Sequence, residues 1–579
     1  MMGILFKLKA IIDKDQKKTF FFIVFLMTIG SFLEFISIAF IIPVLSVVID
    51  GTIQNSYINL DFLNNFIKNH SLNQVLLGTF FLFFFIFFIK FIFTIFFLYK
   101  KNSFMYDVRN HLSKKIFKSF LKRPYDFHQE NNTSKLALNC KYEIEVFTSS
   151  IMLAGLEILS DLGLILSLLT LLFFLEFKLT IFLIFIFFTS IYFYQFILKK
   201  KSLIWASERQ EYDTLINKVI NEGLGSIKEI ILNLKDKFFI NKLMSYLQKS
   251  TMVSVRSQMV FEAPRTLMEI IAIVAFILIF YFLNFLNYET SKIITLMGIF
   301  AAVSFKLLPC FNRLLAGIQR IRYATPVIDF IYNELTNSNN FIEENEISKY
   351  NEKFNLRNFI EIKNLNFNYR DKNYNKIIFD NVNLKIKKGN IIGIIGESGV
   401  GKSTLLNLIS GLTKNYEGKI LIDNIDIKTL SSAWSKRVTY ISQKPFFLDD
   451  NIKNNIAFAE DSIDIDLDKV WSSLRSAQLS DFINNSSDKL DTVIGEDGVK
   501  MSGGQLQRLA IARALYQDFD LMILDESLSA LDSLNENEIL KIISKFKNEK
   551  TIILISHNNQ SLKYCDQIFK IENKKIFLK

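Results

Sequence analysis

The chain has 579 residues, too many for one ordinary domain at roughly 150 residues each. Half of them are apolar and 59 are Phe, yet 22% are charged, which excludes a disordered chain, while three dispersed cysteines (Cys140, Cys310 and Cys565) exclude a disulfide-stapled secreted module or a cysteine metal cluster. Residues 1–335 hold 35 Lys and Arg against 24 Asp and Glu, the whole net charge of +11, and residues 336–579 hold 33 of each, so the basic excess sits in the apolar half and points to a membrane rather than to nucleic acid.

In chain order, residues 19–49 form the first apolar run, with one acid and no base. The run exceeds the ~20 residues a helix needs to cross a bilayer and is too long for a cleaved signal peptide. Comparable runs follow at about 74–99, 151–175, 179–198, 266–288 and 293–319, which predicts six spans. Lys7, Lys9, Lys14, Lys17 and Lys18 before the first span, and Lys100 to Arg123 after the second, place both segments in the cytoplasm. The loops after spans 1, 3 and 5 are nearly free of Lys and Arg and should face outward. About 50 polar residues separate spans 2 and 3 and nearly 70 separate spans 4 and 5, so helices 2 to 5 are expected to run far into the cytosol. In the first outer loop, Tyr57–Lys68 has apolar residues at helical spacing, read either as an amphipathic helix at the outer interface or as a loop helix packed on the spans.

Residues 336–357 are polar, without an apolar period, and read as a linker. Beyond them short β-rich runs alternate with helical segments. The expected architecture is a multidomain membrane protein: a six-helix transmembrane domain over 1–335, then an α/β domain over 358–579, which the run Gly396 to Ser403, G-x-x-x-x-G-K-S, makes a P-loop nucleotide-binding domain.

A strand-like run, Asn390–Ile395, leads into Gly396, Glu397, Ser398, Gly399, Val400, Gly401, Lys402 and Ser403, followed by a helical run from Thr404. This is G-x-x-x-x-G-K-S between strand and helix, where backbone N–H groups and the helix N-terminus receive phosphate. Lys402 should reach the β- and γ-phosphates of ATP, and Ser403 should hold Mg²⁺. Downstream, the apolar strand Leu521–Leu524 ends in Asp525, a candidate for the Mg²⁺ shell, and Glu526, a candidate base for the attacking water; a buried strand with a polar end would look alike.

Met501, Ser502, Gly503, Gly504 and Gln505 then precede the helical run LQRLAIARAL. Here the chain resembles the ATP-binding cassette family, whose signature is L-S-G-G-Q before such a helix, and the resemblance extends over the whole chain as an exporter-type half-transporter. It implies that Tyr369 stacks on adenine, that Gln443 is the lid glutamine and a Mg²⁺ contact, that Ser529 to Asp532 form the D-loop, that His557 is the switch histidine on the γ-phosphate, and that Glu496 lies in the acidic loop facing the membrane domain. Met501 for Leu, and Ser-Leu after Glu526 for Ala-Thr, depart from the pattern without removing a catalytic group. In this family each nucleotide lies between the phosphate loop of one cassette and the signature of another. The resemblance thus implies a homodimer in the cell inner (plasma) membrane, with both termini cytoplasmic and with residues 121–138 and 221–237 as coupling helices docked near Gln443 and Glu496.

Ionisable residues inside spans are costly and usually face a cavity or a partner. Lys90 lies in span 2, and Lys306, Arg313 and Arg320 recur every seven residues through span 6, a step that drifts only ~20° around a helix. They could receive an anionic head group, or they could snorkel and pair with Glu34, Glu157, Asp161 or Glu269. The membrane half further resembles bacterial lipid-linked oligosaccharide flippases of the protein N-glycosylation type, in Ser31 to Glu34, in Lys90, in Ala263 to Glu269 and in Lys306 to Leu314. That likeness implies a polyprenyl-pyrophosphate glycan as cargo, an anionic lipid-linked substrate received by Lys90, Lys306 and Arg313. A generic exporter of lipids, drugs or peptides is the alternative, and an ATP-gated channel or regulator a third.

Overall fold

The computed structural model describes residues 2–41, 72–285, 288, 290–346, 354–371, 374–527, 533–556 and 558–579. Residues 42–49 of the first span, the expected helix at 57–68, the D-loop at 529–532 and His557 lie outside the described residues. Two compact units emerge, Met1–Lys122 with Asn131–Asn339, and Arg123–Glu130 with Asn340–Lys579.

Among the described residues, six long helices build the first unit: α1 (Lys14–Ala39), α2 (Leu72–Leu121), α3 (Thr133–Leu175), α4 (Phe177–Gly225), α5 (Asp236–Phe285) and α6 (Thr290–Tyr323). Five are long and apolar enough to cross a membrane, and α4 contributes a shorter apolar stretch, Thr180–Phe196. At 1.5 Å per residue the 50 residues of α5 span about 75 Å, more than twice a ~30 Å hydrocarbon core, and α2 and α4 are comparable. The outer face of α2 exposes Phe81, Phe84, Phe85 and Phe88, the inverse of a soluble helix, because hydrocarbon rather than water is its solvent. Inside, Leu168 and Leu172 of α3 pack with Ile279 and Leu283 of α5 and Phe300 and Val303 of α6. Helices α1 and α3 approach closely, for a Cβ on Gly163 would sit 2.7 Å from Ser31 Oγ.

The range read as a linker begins as helix. A helix covers Thr325–Glu346, and the boundary between units falls after Asn339. Buried Val327, Ile328, Ile331 and Leu335 anchor its first turns, and once a helix is nucleated each further residue adds cheaply, even a polar one.

The second unit holds two sheets. One is antiparallel, in the order β2 (Tyr374–Lys387), β1 (Phe359–Asp371), β4 (Glu417–Ile422), β5 (Ile425–Asp426). The other runs β10 (Lys575–Leu578), β9 (Gln567–Glu572), β3 (Ile391–Ile395), β8 (Thr551–Ile555), β7 (Leu521–Asp525), β6 (Val438–Ile441), and is parallel from β9 to β6. Strand β8 is buried throughout, which explains its unbroken apolar sequence TIILI. Parallel strands end on one edge, so the loops after β3, β6 and β7 converge there.

Candidate active site

The phosphate loop links β3 to α7 (Lys402–Ser410). At Gly401, φ is 111° and a Cβ would meet Ile378 Cγ2 at 2.4 Å; at Gly399, φ is 79° and no atom lies within 4 Å of that position. The first glycine is required by crowding, and the second leaves the backbone open to a ligand. Lys402 Nζ donates to the carbonyls of Gly396 at 2.8 Å and Glu397 at 3.3 Å and lies 3.7 Å from Glu526 Oε1.

A cavity of about 390 Å³ is lined by Tyr369, Lys376, Ile378, Ser398, Gly399, Gly401, Lys402, Ser403, Thr404, Gln443, Asp525 and Glu526. Ten of these twelve are residues the sequence singles out. Lys376 and Ile378, on β2, were missed because nothing in an alternating strand marks them. Tyr369 Oη lies 3.2 Å from Thr404 Oγ1, and its ring meets Phe367 edge-on. Ser403 Oγ donates to Asp525 Oδ1 at 3.2 Å, and Gln443 Nε2 donates to Glu526 Oε2 at 3.3 Å. Glu526 adopts φ 48°, a left-handed backbone that costs a non-glycine residue free energy and is held here at the end of β7.

Two residues without a motif support this edge. Tyr440 on β6 donates to Asp525 Oδ2 at 2.7 Å, and burial and then that carboxylate push its phenol far above the ordinary range, so it remains a donor. Arg513 donates to the Phe446 carbonyl at 2.8 Å and to the Asn455 carbonyl at 2.7 Å, bracing the segment that follows Gln443; burial lowers its pKa to about 10.

The signature residues stand elsewhere. Ser502 caps the helix α8 (Gly503–Tyr516), accepting from Gln505 N at 3.3 Å while its own N–H donates to Gln505 Oε1 at 2.9 Å. None of residues 501–505 lines the cavity. Ser502 and Gly503 are exposed, and no atom lies within 4 Å of a Cβ on Gly503.

Of the two expected coupling helices, the first is Tyr125–Glu130, which belongs to the cassette unit: Asp126 accepts from Thr413 Oγ1 at 2.8 Å. The second, Ile227–Asn233, buries none of its residues and leaves Ile231 and Leu232 exposed.

The intramembrane cations are each paired. Lys90 and Lys306, the latter at 3.3 Å, both contact Glu34, and Arg313 forks onto Asp161 through Nη2 at 2.6 Å and Nε at 3.0 Å. Arg320 lies over the Phe261 ring at 6.0 Å. The seven-residue repeat therefore presents not one continuous basic face but three positions, each with its own partner, because buried carboxylates on α1 and α3 meet α6 at different heights.

A phosphate loop, two strand-end carboxylates and a separate S-G-G-Q helix define an ATP-hydrolysing cassette fused to a membrane-spanning helical unit. Comparisons with known proteins agree. Residues 20–306 match the ABC transporter transmembrane region and residues 379–529 the ABC transporter model. The chain belongs to the ABC transporter family, as a multi-pass half-transporter of the exporter kind. It is 28% identical to an ATP-dependent lipid A-core flippase of Wigglesworthia glossinidia brevipalpis over 471 residues, 80% of this chain and 79% of that one. The Escherichia coli protein of that name is 38% identical over 216 residues, 37% of this chain and 36% of its own. A solved bacterial Atm1-family ABC exporter with ATP bound superposes with a TM-score of 0.80 at 17% identity, covering 97% of this chain and 95% of that one, a likeness of fold alone.

Proposed function

We propose that the chain works as a homodimer that uses ATP to flip a polyprenyl-pyrophosphate-linked oligosaccharide across the cell inner membrane, with both termini and the cassette in the cytoplasm. Tyr369 stacks on adenine, and the phosphate-loop amides with Lys402 and Thr404 cradle the phosphates. Glu526 takes the proton of the attacking water, held in place by Gln443, and His557 and Asp532 complete the site by family position. Ser403, Asp525 and the amide oxygen of Gln443 are hard oxygen donors on one wall of the cavity, a set that fits Mg²⁺. When bound, Mg²⁺ neutralises charge on the β- and γ-phosphates.

The dimer reading is supported by the make-up of the cavity, whose lining includes none of residues 501–505 of the same copy. Ser502, Gly503, Gly504 and Gln505 of one copy would close the cavity of the other. The exposed apolar tip Ile227–Asn233 calls for a partner surface as well. Both Glu526 and the signature are intact, so both sites of a homodimer are competent.

The observation that carries the cargo reading is the pair of ion clusters in the spans. Lys90, Lys306 and Arg313 stand against Glu34 and Asp161, leaving one positive charge among these five residues per copy and two per dimer. A pyrophosphate diester is a dianion that can displace carboxylates from those cations. The name of the relatives, lipid A-core flippase, supports a lipid cargo, and an exporter of another lipid is the second reading. Reconstitution into vesicles decides. ATP-dependent flipping of a polyprenyl-pyrophosphate glycan, lost in Lys306→Ala/Arg313→Ala, is expected; ATPase stimulated by a different lipid, with no glycan flipping, would favour the second reading.

A further inference from the structure

Tyr440 belongs to none of the family elements, yet it touches the group on which the ATP site turns. Strand β6 pairs with β7 in register, Ile441 opposite Leu524, which places the Tyr440 side chain beside the end of β7. Its Oη donates to Asp525 Oδ2, while Ser403 Oγ donates to Oδ1, so the carboxylate is gripped at both oxygens. Two opposed donors fix the rotation of a carboxylate that one alone would leave free.

We infer that Tyr440 is a positioning residue that turns Asp525 Oδ1 toward the cation beside Ser403. The inference rests on the assignment of Asp525 to the Mg²⁺ shell made above. A tyrosine that merely satisfies its hydroxyl against a convenient acceptor would contribute to folding and nothing else. A positioning tyrosine should change metal affinity when a single oxygen is removed.

The test is Mn²⁺ titration of the full-length protein in nanodiscs with a non-hydrolysable ATP analogue, read by electron paramagnetic resonance, with nucleotide affinity measured separately in EDTA. Tyr440→Phe is expected to weaken Mn²⁺ binding about tenfold, the scale of lost support to a metal ligand, with unchanged metal-free nucleotide affinity. Asp525→Asn is the control. If it leaves Mn²⁺ binding intact, the metal assignment itself is wrong. If it abolishes binding while Tyr440→Phe does not shift it, the assignment stands and the role given to Tyr440 is overturned.

Discussion

Arg313 donates through two guanidinium nitrogens to Asp161, a carboxylate whose side chain is 3% exposed, while the arginine itself is 47% exposed. The acid is buried and the base looks out, an asymmetry that makes the two deletions unequal. Arg313→Ala leaves an uncompensated buried charge. Removing one partner of a fully buried pair costs about 3–5 kcal/mol; with Arg313 half in the open, about 2 kcal/mol is expected. Asp161→Asn in the same chain should restore most of that stability in detergent without restoring flipping. Equal melting of the single and double variants would show that the unpaired Asp161 carboxylate carries no penalty.

Glu526→Gln keeps shape and loses the base. ATP binding should persist, turnover should fall by at least about 10²-fold, and a closed dimer should accumulate. Retained turnover would falsify the base assignment; size-exclusion chromatography with ATP reads the dimer.

Arg513 is expected to matter for stability rather than chemistry. Arg513→Met strands the carbonyls of Phe446 and Asn455 and should lower cassette stability by about 3 kcal/mol. Arg513→Lys should recover only part, since an ammonium cannot supply the planar fork. Chemical denaturation of the two variants side by side gives the comparison.

Burial, and secondly the neighbouring Asp566, push the Cys565 thiol up to about 12. Thiolate is the reactive form, so at pH 8 native Cys565 should alkylate about a thousandfold more slowly than an ordinary cysteine of pKa near 8.5, and the rate should climb with pH far beyond the usual plateau. Mass spectrometry of a Cys140→Ser/Cys310→Ala background before and after urea provides the measurement; fast native labelling contradicts the assignment.

The exposed tip Ile231 and Leu232 offers a test of the dimer. Leu232→Glu should leave nucleotide binding intact and uncouple cargo-stimulated from basal ATPase, because a charge cannot enter an apolar socket cheaply. Stimulation identical to the parent would mean this tip needs no socket.

What could be read from the sequence follows a physical division. The phosphate loop and the S-G-G-Q helix are contiguous segments whose chemistry requires fixed residue types at fixed spacing, so they were legible before any coordinates. Lengths of apolar run gave the spans for the same reason. The Glu34 cluster was not legible as one object, because residues 34, 90 and 306 meet only when α1, α2 and α6 pack. The heptad of Lys306, Arg313 and Arg320 specified a helix face but not what faces it. Tyr440 lay hidden because an alternating strand gives an aromatic residue no distinguishing context until its partner strand is known. That the polar segment from Thr336 continues a helix was not legible, because polarity alone does not stop a helix already nucleated by Val327, Ile328 and Ile331.

The eight residues Arg123–Glu130 belong to the cassette unit although the chain on either side of them belongs to the helical one. The cassette is therefore discontinuous in sequence. During synthesis its first piece leaves the ribosome some 200 residues before the rest, inserted between two membrane spans, and must wait for Thr413 to be made before Asp126 finds its donor. Neither half can be cut away at a single bond without taking part of the other. A cassette expressed from Asn340 onward would lack Asp126, the acceptor of the Thr413 hydroxyl.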